Sequence, residues 1–76
     1  MIPGDTLHVS EKKVFDSPTK EFCIATCLIE KKINPSINAV KFGREGGKHE
    51  GKCYCKVSAM RNRVETNYSF QICFLK

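Results

Sequence analysis

Hydrophobic positions along the chain change period near residue 36. Before it, Phe22, Cys23, Thr26, Cys27, Ile29, Glu30 and Ile33 recur at spacings of three and four. Most are apolar, which predicts a helix with one buried stripe. Asp16-Ser17-Pro18 reads as its start. Ser17 can cap the helix, and Pro18 suits the first helical position because its missing N–H would be unpaired there anyway. Asn34-Pro35 ends the pattern, since proline disfavours helical geometry in the residue before it. After that the period is two. Residues 37–42 place Val40 and Phe42 on one face. Residues 52–57 place Cys53, Cys55 and Val57 on one face and Lys52, Tyr54 and Lys56 on the other. Residues 68–75 alternate Phe70, Ile72 and Phe74 against Gln71, Cys73 and Leu75.

Glycines at 43, 46, 47 and 51 join the first two of these strands, which predicts a hairpin with a long polar loop. Leu7, Val9, Val14 and Phe15 predict one or two N-terminal strands. Residues 1–5 read as a flexible lead-in, and 58–66 as a basic loop. The expected architecture is α+β: a single domain over 6–76, with one helix packed on an antiparallel sheet. Phe22, Val40, Phe42, Phe70, Ile72 and Phe74 are expected between the two layers.

Cysteine spacing adds the staples. Cys23 and Cys27 stand at i and i+4, on one face of a helix. Cys53 and Cys55 stand at i and i+2, on one face of a strand. Two disulfides can therefore tie helix to strand. Four cysteines allow three pairings. Parallel helix and strand favour Cys23–Cys53 with Cys27–Cys55, the assignment taken here, and an antiparallel arrangement exchanges the partners. A disulfide closing a loop of about thirty residues is worth roughly 3–4 kcal/mol, a large share of a small domain's stability. The competing reading is a zinc site of four thiolates, or of three with His49. Its weakness is spacing, because zinc sites usually repeat a C-x₂₋₄-C pair. A thiol nucleophile would need His8 or His49, and neither sits in a catalytic pattern. Cys73 has no cysteine before Cys23 to pair with. It is expected as an unpaired thiol or the site of an intermolecular bond to a disulfide-linked partner.

Five cysteines in 76 residues point to an oxidising compartment. No apolar run is long enough to span a membrane. The first residues lack the basic and apolar regions of a signal peptide, so a processed chain or a piece of a larger ectodomain is expected. Asn67-Tyr68-Ser69 is a glycosylation sequon, in keeping with secretion. The net charge is +5. Segment 41–63 holds seven of the thirteen basic residues and two of the eight acidic ones, so the whole excess sits there.

Several stretches resemble the PAN/apple domains. They are Glu21-Phe22-Cys23-Ile24-Ala25-Thr26-Cys27-Leu28, Asn38-Ala39-Val40-Lys41-Phe42, Gly51-Lys52-Cys53-Tyr54-Cys55 and Ile72-Cys73-Phe74-Leu75. The resemblance covers about residues 6–76. It implies a small secreted or ectodomain module, a helix on a sheet held by disulfides, that binds proteins or carbohydrates without catalysis of its own. Some members bind heparin-like glycans. Two departures stand out. The family cysteine before the first hairpin strand is replaced here by Ile37-Asn38, a role Cys55 can take over. The N-terminal cysteine that pairs with the late one in apple domains is also missing.

The expected function is therefore an extracellular recognition or adhesion module for a protein or an anionic, sulfated glycan. Its candidate ligand-binding residues are Lys41, Lys52, Tyr54 and Lys56 on the outer hairpin face, flanked by Arg44, Lys48, Arg61 and Arg63. The alternative is a cationic host-defence peptide or toxin, because Gly51-x-Cys53-x-Cys55 resembles the defensin turn. No nucleic-acid partner, cofactor, metal or catalytic residue is expected. Paired carboxylates, a phosphate loop and a catalytic triad pattern are not seen in the sequence.

Overall fold

The computed structural model describes residues 2–6, 10–16 and 19–75. The elements run β1 (Ile2–Pro3), β2 (Asp5–Thr6), β3 (Glu11–Asp16), α1 (Lys20–Ile33), β4 (Ile37–Gly43), β5 (Lys52–Val57), a 3₁₀ turn (Arg61–Arg63), β6 (Val64–Glu65) and β7 (Phe70–Phe74). Five strands form an antiparallel sheet in the order β1-β7-β4-β5-β3, and β2 pairs with β6 in a second, two-stranded sheet. One helix on an antiparallel sheet, closed by two disulfides, makes this a small α+β domain.

The helix begins where a side chain caps it. Thr19 is the N-cap, and its hydroxyl accepts a hydrogen bond from the Phe22 N–H at 3.1 Å. Ser17 and Pro18, expected to fill this role, lie outside the described residues. At the other end Asn34 is extended and Pro35 follows, which stops the helix as its sequence requires. The hairpin β4–β5 forms as expected, with Val40 opposite Cys55 and Phe42 opposite Cys53.

Cys23 is bonded to Cys53 and Cys27 to Cys55, with Cα separations of 5.6 and 5.5 Å. The near-equal rungs follow from matched rises. Four helical residues climb about 6 Å, and two strand residues about 6.7 Å. A helix running parallel to β5 therefore meets both sulfurs without shearing. The zinc reading gives way here: the sulfurs of Cys23, Cys27 and Cys53 lie within 4.8 Å of one another, but they are bonded in pairs.

Those bonds also fix the rotation of α1, and this corrects the expected core. Cys23 and Cys27 face the sheet, packed with Ile37, Val40, Phe42, Cys53 and Cys55. Phe22 precedes Cys23 by one position, about 100° around the helix. It is turned to the flank and is 54% exposed, and Ile33 is 78% exposed. The stripe that the periodicity marks as buried thus contains residues the disulfides rotate outward.

A second correction concerns β7. Ile72 lies opposite Lys41 and Cys73 opposite Val40, so the even-numbered residues lie on the side away from the helix. Phe70 and Ile72 are buried there. Ile72 packs with Ala39 and Ala59, and Val64 and Phe74 close on them from the rim. Asn38 secures this second layer: its side chain donates to the Ala59 carbonyl at 2.8 Å and accepts from the Ala59 N–H at 2.7 Å. The supposed lead-in is also structured. Ile2 and Pro3 pair with β7, and Asp5 and Thr6 with β6. Gly4 makes this arm possible. Its φ is +143°, and an added Cβ would lie 2.7 Å from the Glu65 carbonyl oxygen.

Phe42 is enclosed by the helix layer whereas Ile33 is not, so their truncations separate the two versions of the core. Phe42→Ala is expected to cost about 3–5 kcal/mol, and Ile33→Ala less than about 0.5 kcal/mol, as exposed sites do. Chemical denaturation of both variants measures this. Equal losses would mean that the helix stripe, rather than the disulfide face, carries the core.

Candidate functional site

The eight residues expected to bind a ligand separate into three places. Lys41 of β4 and Lys56 of β5 share a face with Tyr54, as strand alternation requires, but that face is covered. Lys41 is 5% exposed and Lys56 is 2% exposed. Burying an ammonium group is costly unless it is paired. The partners come from the N-terminal strands. Glu11 of β3 lies 2.9 Å from Lys41 Nζ and 2.7 Å from Lys56 Nζ. Asp5 of β2 lies 3.2 Å from Lys41 Nζ and 3.1 Å from Lys56 Nζ. Two cations and two anions balance.

Aromatic and backbone groups complete the cluster. Lys41 Nζ sits 4.4 Å from the centre of the Tyr54 ring and 4.3 Å from that of Phe70, so it is held by cation–π attraction as well. Tyr54 meets Phe70 edge-on at 6.1 Å. Lys56 Nζ also donates to the Thr6 carbonyl at 3.3 Å. Lys41 and Lys56 therefore do not present charge to a polyanion, as the sequence pattern had them do. They neutralise carboxylates of their own chain.

The second group stands at the open end of the hairpin. Arg44, Lys48 and Lys52 lie on and beside the loop 44–51. None of them is in an ion pair among the described residues. Arg44 donates to the Tyr68 carbonyl at 3.4 Å, and Tyr68 is 76% exposed. Lys52 Nζ lies 3.4 Å from His49 Nδ1, and the His49 ring stacks on Phe70 at 5.0 Å. The half-covered position of His49 and the charges of Lys52, Lys48 and Lys41 lower its pKa, so the ring is neutral near pH 7 and can accept from Lys52. This loop is folded tightly against the strand end. Any side chain at Gly43 would overlap the His49 carbonyl oxygen. The loop's two acids, Glu45 and Glu50, line a groove of about 810 Å³ at the start of α1, with Asp16 and Glu21.

Arg61 and Arg63 form the third group, on the 3₁₀ turn near the opposite end of β4. The Arg61 guanidinium lies 4.6 Å from the centre of the Phe74 ring. Cys73 is a half-buried free thiol on the helix side of β7, with its sulfur 3.7 Å from the Phe74 carbonyl oxygen. Asn67 turns its side-chain oxygen onto the Ser69 N–H at 2.9 Å, within the sequon itself.

Glu11 gives the buried cluster a pH signature. Burial pushes its carboxyl up, but hydrogen bonds from Lys56 and Lys41 and their charges outweigh this and hold it below the usual carboxylate range. A carboxyl lowered in the folded state stabilises the fold above its unfolded value of about 4.3. That stability is lost as pH falls through the folded value. Thermal melts between pH 7 and pH 2 should show a drop that begins near pH 4.5. Glu11→Gln should start from a lower midpoint at pH 7 and show a smaller drop. A variant that tracked the parent at every pH would exclude the network as a source of stability.

Compared with known protein families, with curated proteins and with solved structures, the chain matches none.

Proposed function

We propose that the chain is an extracellular recognition module, built in the manner of the PAN/apple domains, that binds an anionic glycan through Arg44, Lys48 and Lys52. One observation carries this reading. Once Lys41 and Lys56 are neutralised within the fold, these three, on and beside the hairpin loop, are the expected hairpin cations left without a carboxylate partner among the described residues. Tyr68, exposed and bonded through its carbonyl to Arg44, offers an aromatic side chain suited to a sugar face. Two disulfides in so small a domain, and the absence of a described helix long and apolar enough to cross a membrane, are compatible with an extracellular setting. A helix stapled across an antiparallel hairpin also agrees with what the PAN/apple resemblance implies. Arg61 and Arg63 stand at the far end and form a separate, smaller basic patch.

Such contacts are mainly electrostatic, so binding should weaken steeply as salt rises. The double variant Lys48→Glu/Lys52→Glu should elute from heparin at clearly lower salt than the parent. Lys20→Glu/Lys32→Glu makes the same change of net charge on the helix and should elute close to the charge-matched expectation, well after the loop variant. Identical elution of both would reduce the loop to a share of overall charge.

A second reading rests on the helix. α1 exposes Leu28, Ile29 and Ile33 next to Lys32, a combination that favours a membrane-active cationic peptide. Dye release from vesicles containing phosphatidylglycerol separates the two. The recognition reading expects no release at concentrations where heparin is bound, and release there would favour the membrane reading.

A further inference from the structure

The position of Asp5 differs in kind from that of Glu11. Both carboxylates bridge Lys41 and Lys56, but Glu11 sits on β3 of the five-stranded sheet, whereas Asp5 sits on β2 of the two-stranded sheet, in an N-terminal arm whose other strand, β1, is an edge of the main sheet. Asp5 gives one oxygen to each ammonium: Oδ2 is 3.2 Å from Lys41 Nζ, and Oδ1 is 3.1 Å from Lys56 Nζ. The sockets for those ammonium groups are built from Tyr54, Phe70 and Glu11, which sit on strands of the main sheet. Without Asp5 the cluster holds two buried cations and one anion. Its charge is then unbalanced where water is largely excluded, and a further carboxylate is what its geometry accepts.

We infer that Lys41 and Lys56 form a carboxylate seat, that Asp5 is its tethered occupant, and that withdrawal of the N-terminal arm opens the seat to one carboxylate of a small acid or of another chain. The arm has few other ties. Ile2 and Pro3 pair with β7, Asp5 and Thr6 pair with β6, the Gly4 N–H donates to the Phe70 carbonyl at 3.0 Å, and the Thr6 carbonyl accepts from Lys56 Nζ at 3.3 Å. Its polar fit is also incomplete. Asp5 Oδ1 meets Lys56 by charge without a hydrogen bond, and the buried Thr6 hydroxyl has no hydrogen bond among the described residues. The seat survives withdrawal of the arm because β5, which carries Lys56, is tied to α1 by both disulfides, and β4, which carries Lys41, pairs with β5 along the hairpin. It lies beneath the arm and uses neither Arg44, Lys48 nor Lys52, so it stands independently of the glycan reading.

The test is chemical rescue in the full chain. Asp5→Ala vacates the seat, and Asp5→Asn fills it with an uncharged group of the same shape. Thermal midpoints are measured in sodium acetate against sodium chloride at equal ionic strength. Acetate should raise the midpoint of Asp5→Ala by roughly 5–10 °C at a tenfold excess over its dissociation constant. It should leave the parent and Asp5→Asn unchanged relative to chloride. A peptide with the arm's own sequence, Ile-Pro-Gly-Asp-Thr with blocked ends, provides a carboxylate from another chain. A response to acetate assigns the seat to small acids as well, and a response to the peptide alone assigns it to a partner chain. Folding of Asp5→Ala only when acetate or peptide is present would support the seat equally. The inference is overturned if neither probe moves Asp5→Ala beyond the chloride control. It is likewise overturned if Asp5→Ala stays unfolded with both probes while Asp5→Asn folds.

Discussion

Two sulfur–sulfur bonds set the rotation of α1 about its own axis, and the arrangement of the molecule follows from that rotation. With Cys23 and Cys27 aimed at β5, the helix covers β4 and β5 and leaves its Phe22, Ile29 and Ile33 flank turned away. A helix held by packing alone would rotate to bury its largest apolar stripe. Here the covalent rungs outrank that preference. Each closes a loop of about thirty residues, and the pair together stabilises a core too small to dictate orientation.

The opposite side of the sheet is governed by charge neutralisation. Lys41 and Lys56 emerge on the side away from the helix because Val40, Cys53 and Cys55 must face it. An apolar cover over two ammonium groups is tolerated only if equal negative charge is buried with them. β2 and β3 bring Asp5 and Glu11 to that place, and the Tyr54 and Phe70 rings complete the enclosure. The basic excess of segment 41–63 is thus partly offset by acids that precede the helix, which brings the N-terminal arm into the structure as a third layer.

What remains for recognition is set by those two layers. Both faces of the central hairpin are covered, so surface charge is confined to its ends: the Arg44–Lys52 end, and the 3₁₀ turn with Arg61 and Arg63. At the first end, the tight approach of His49 to Gly43 holds the loop against the strand. A ligand that reads charge would meet the tip of the hairpin rather than the flat sheet surface on which alternation alone places the lysines.

The main elements are legible in the sequence, while the short strands β1, β2 and β6 are not. Period and punctuation place the helix, the hairpin and the last strand, since Asn34-Pro35 and the glycines 43–51 act on the backbone locally. The sequence by itself also determined the disulfide partners once helix and strand run parallel, because the two spacings leave the sulfurs on facing sides. Tertiary structure decided what each face meets. That Phe22 is exposed depends on a rotation fixed by bonds thirty residues away. That Ile72 lies beside Lys41 rather than under the helix depends on the register between β4 and β7. Asp5 and Glu11 carry no sequence signal of membership in the site because they precede Lys41 and Lys56 by thirty or more residues. Alternation reports only that Lys41, Tyr54 and Lys56 share a side. Whether that side meets water or two carboxylates depends on how the N-terminal arm crosses it, a long-range contact that leaves no local periodicity to read.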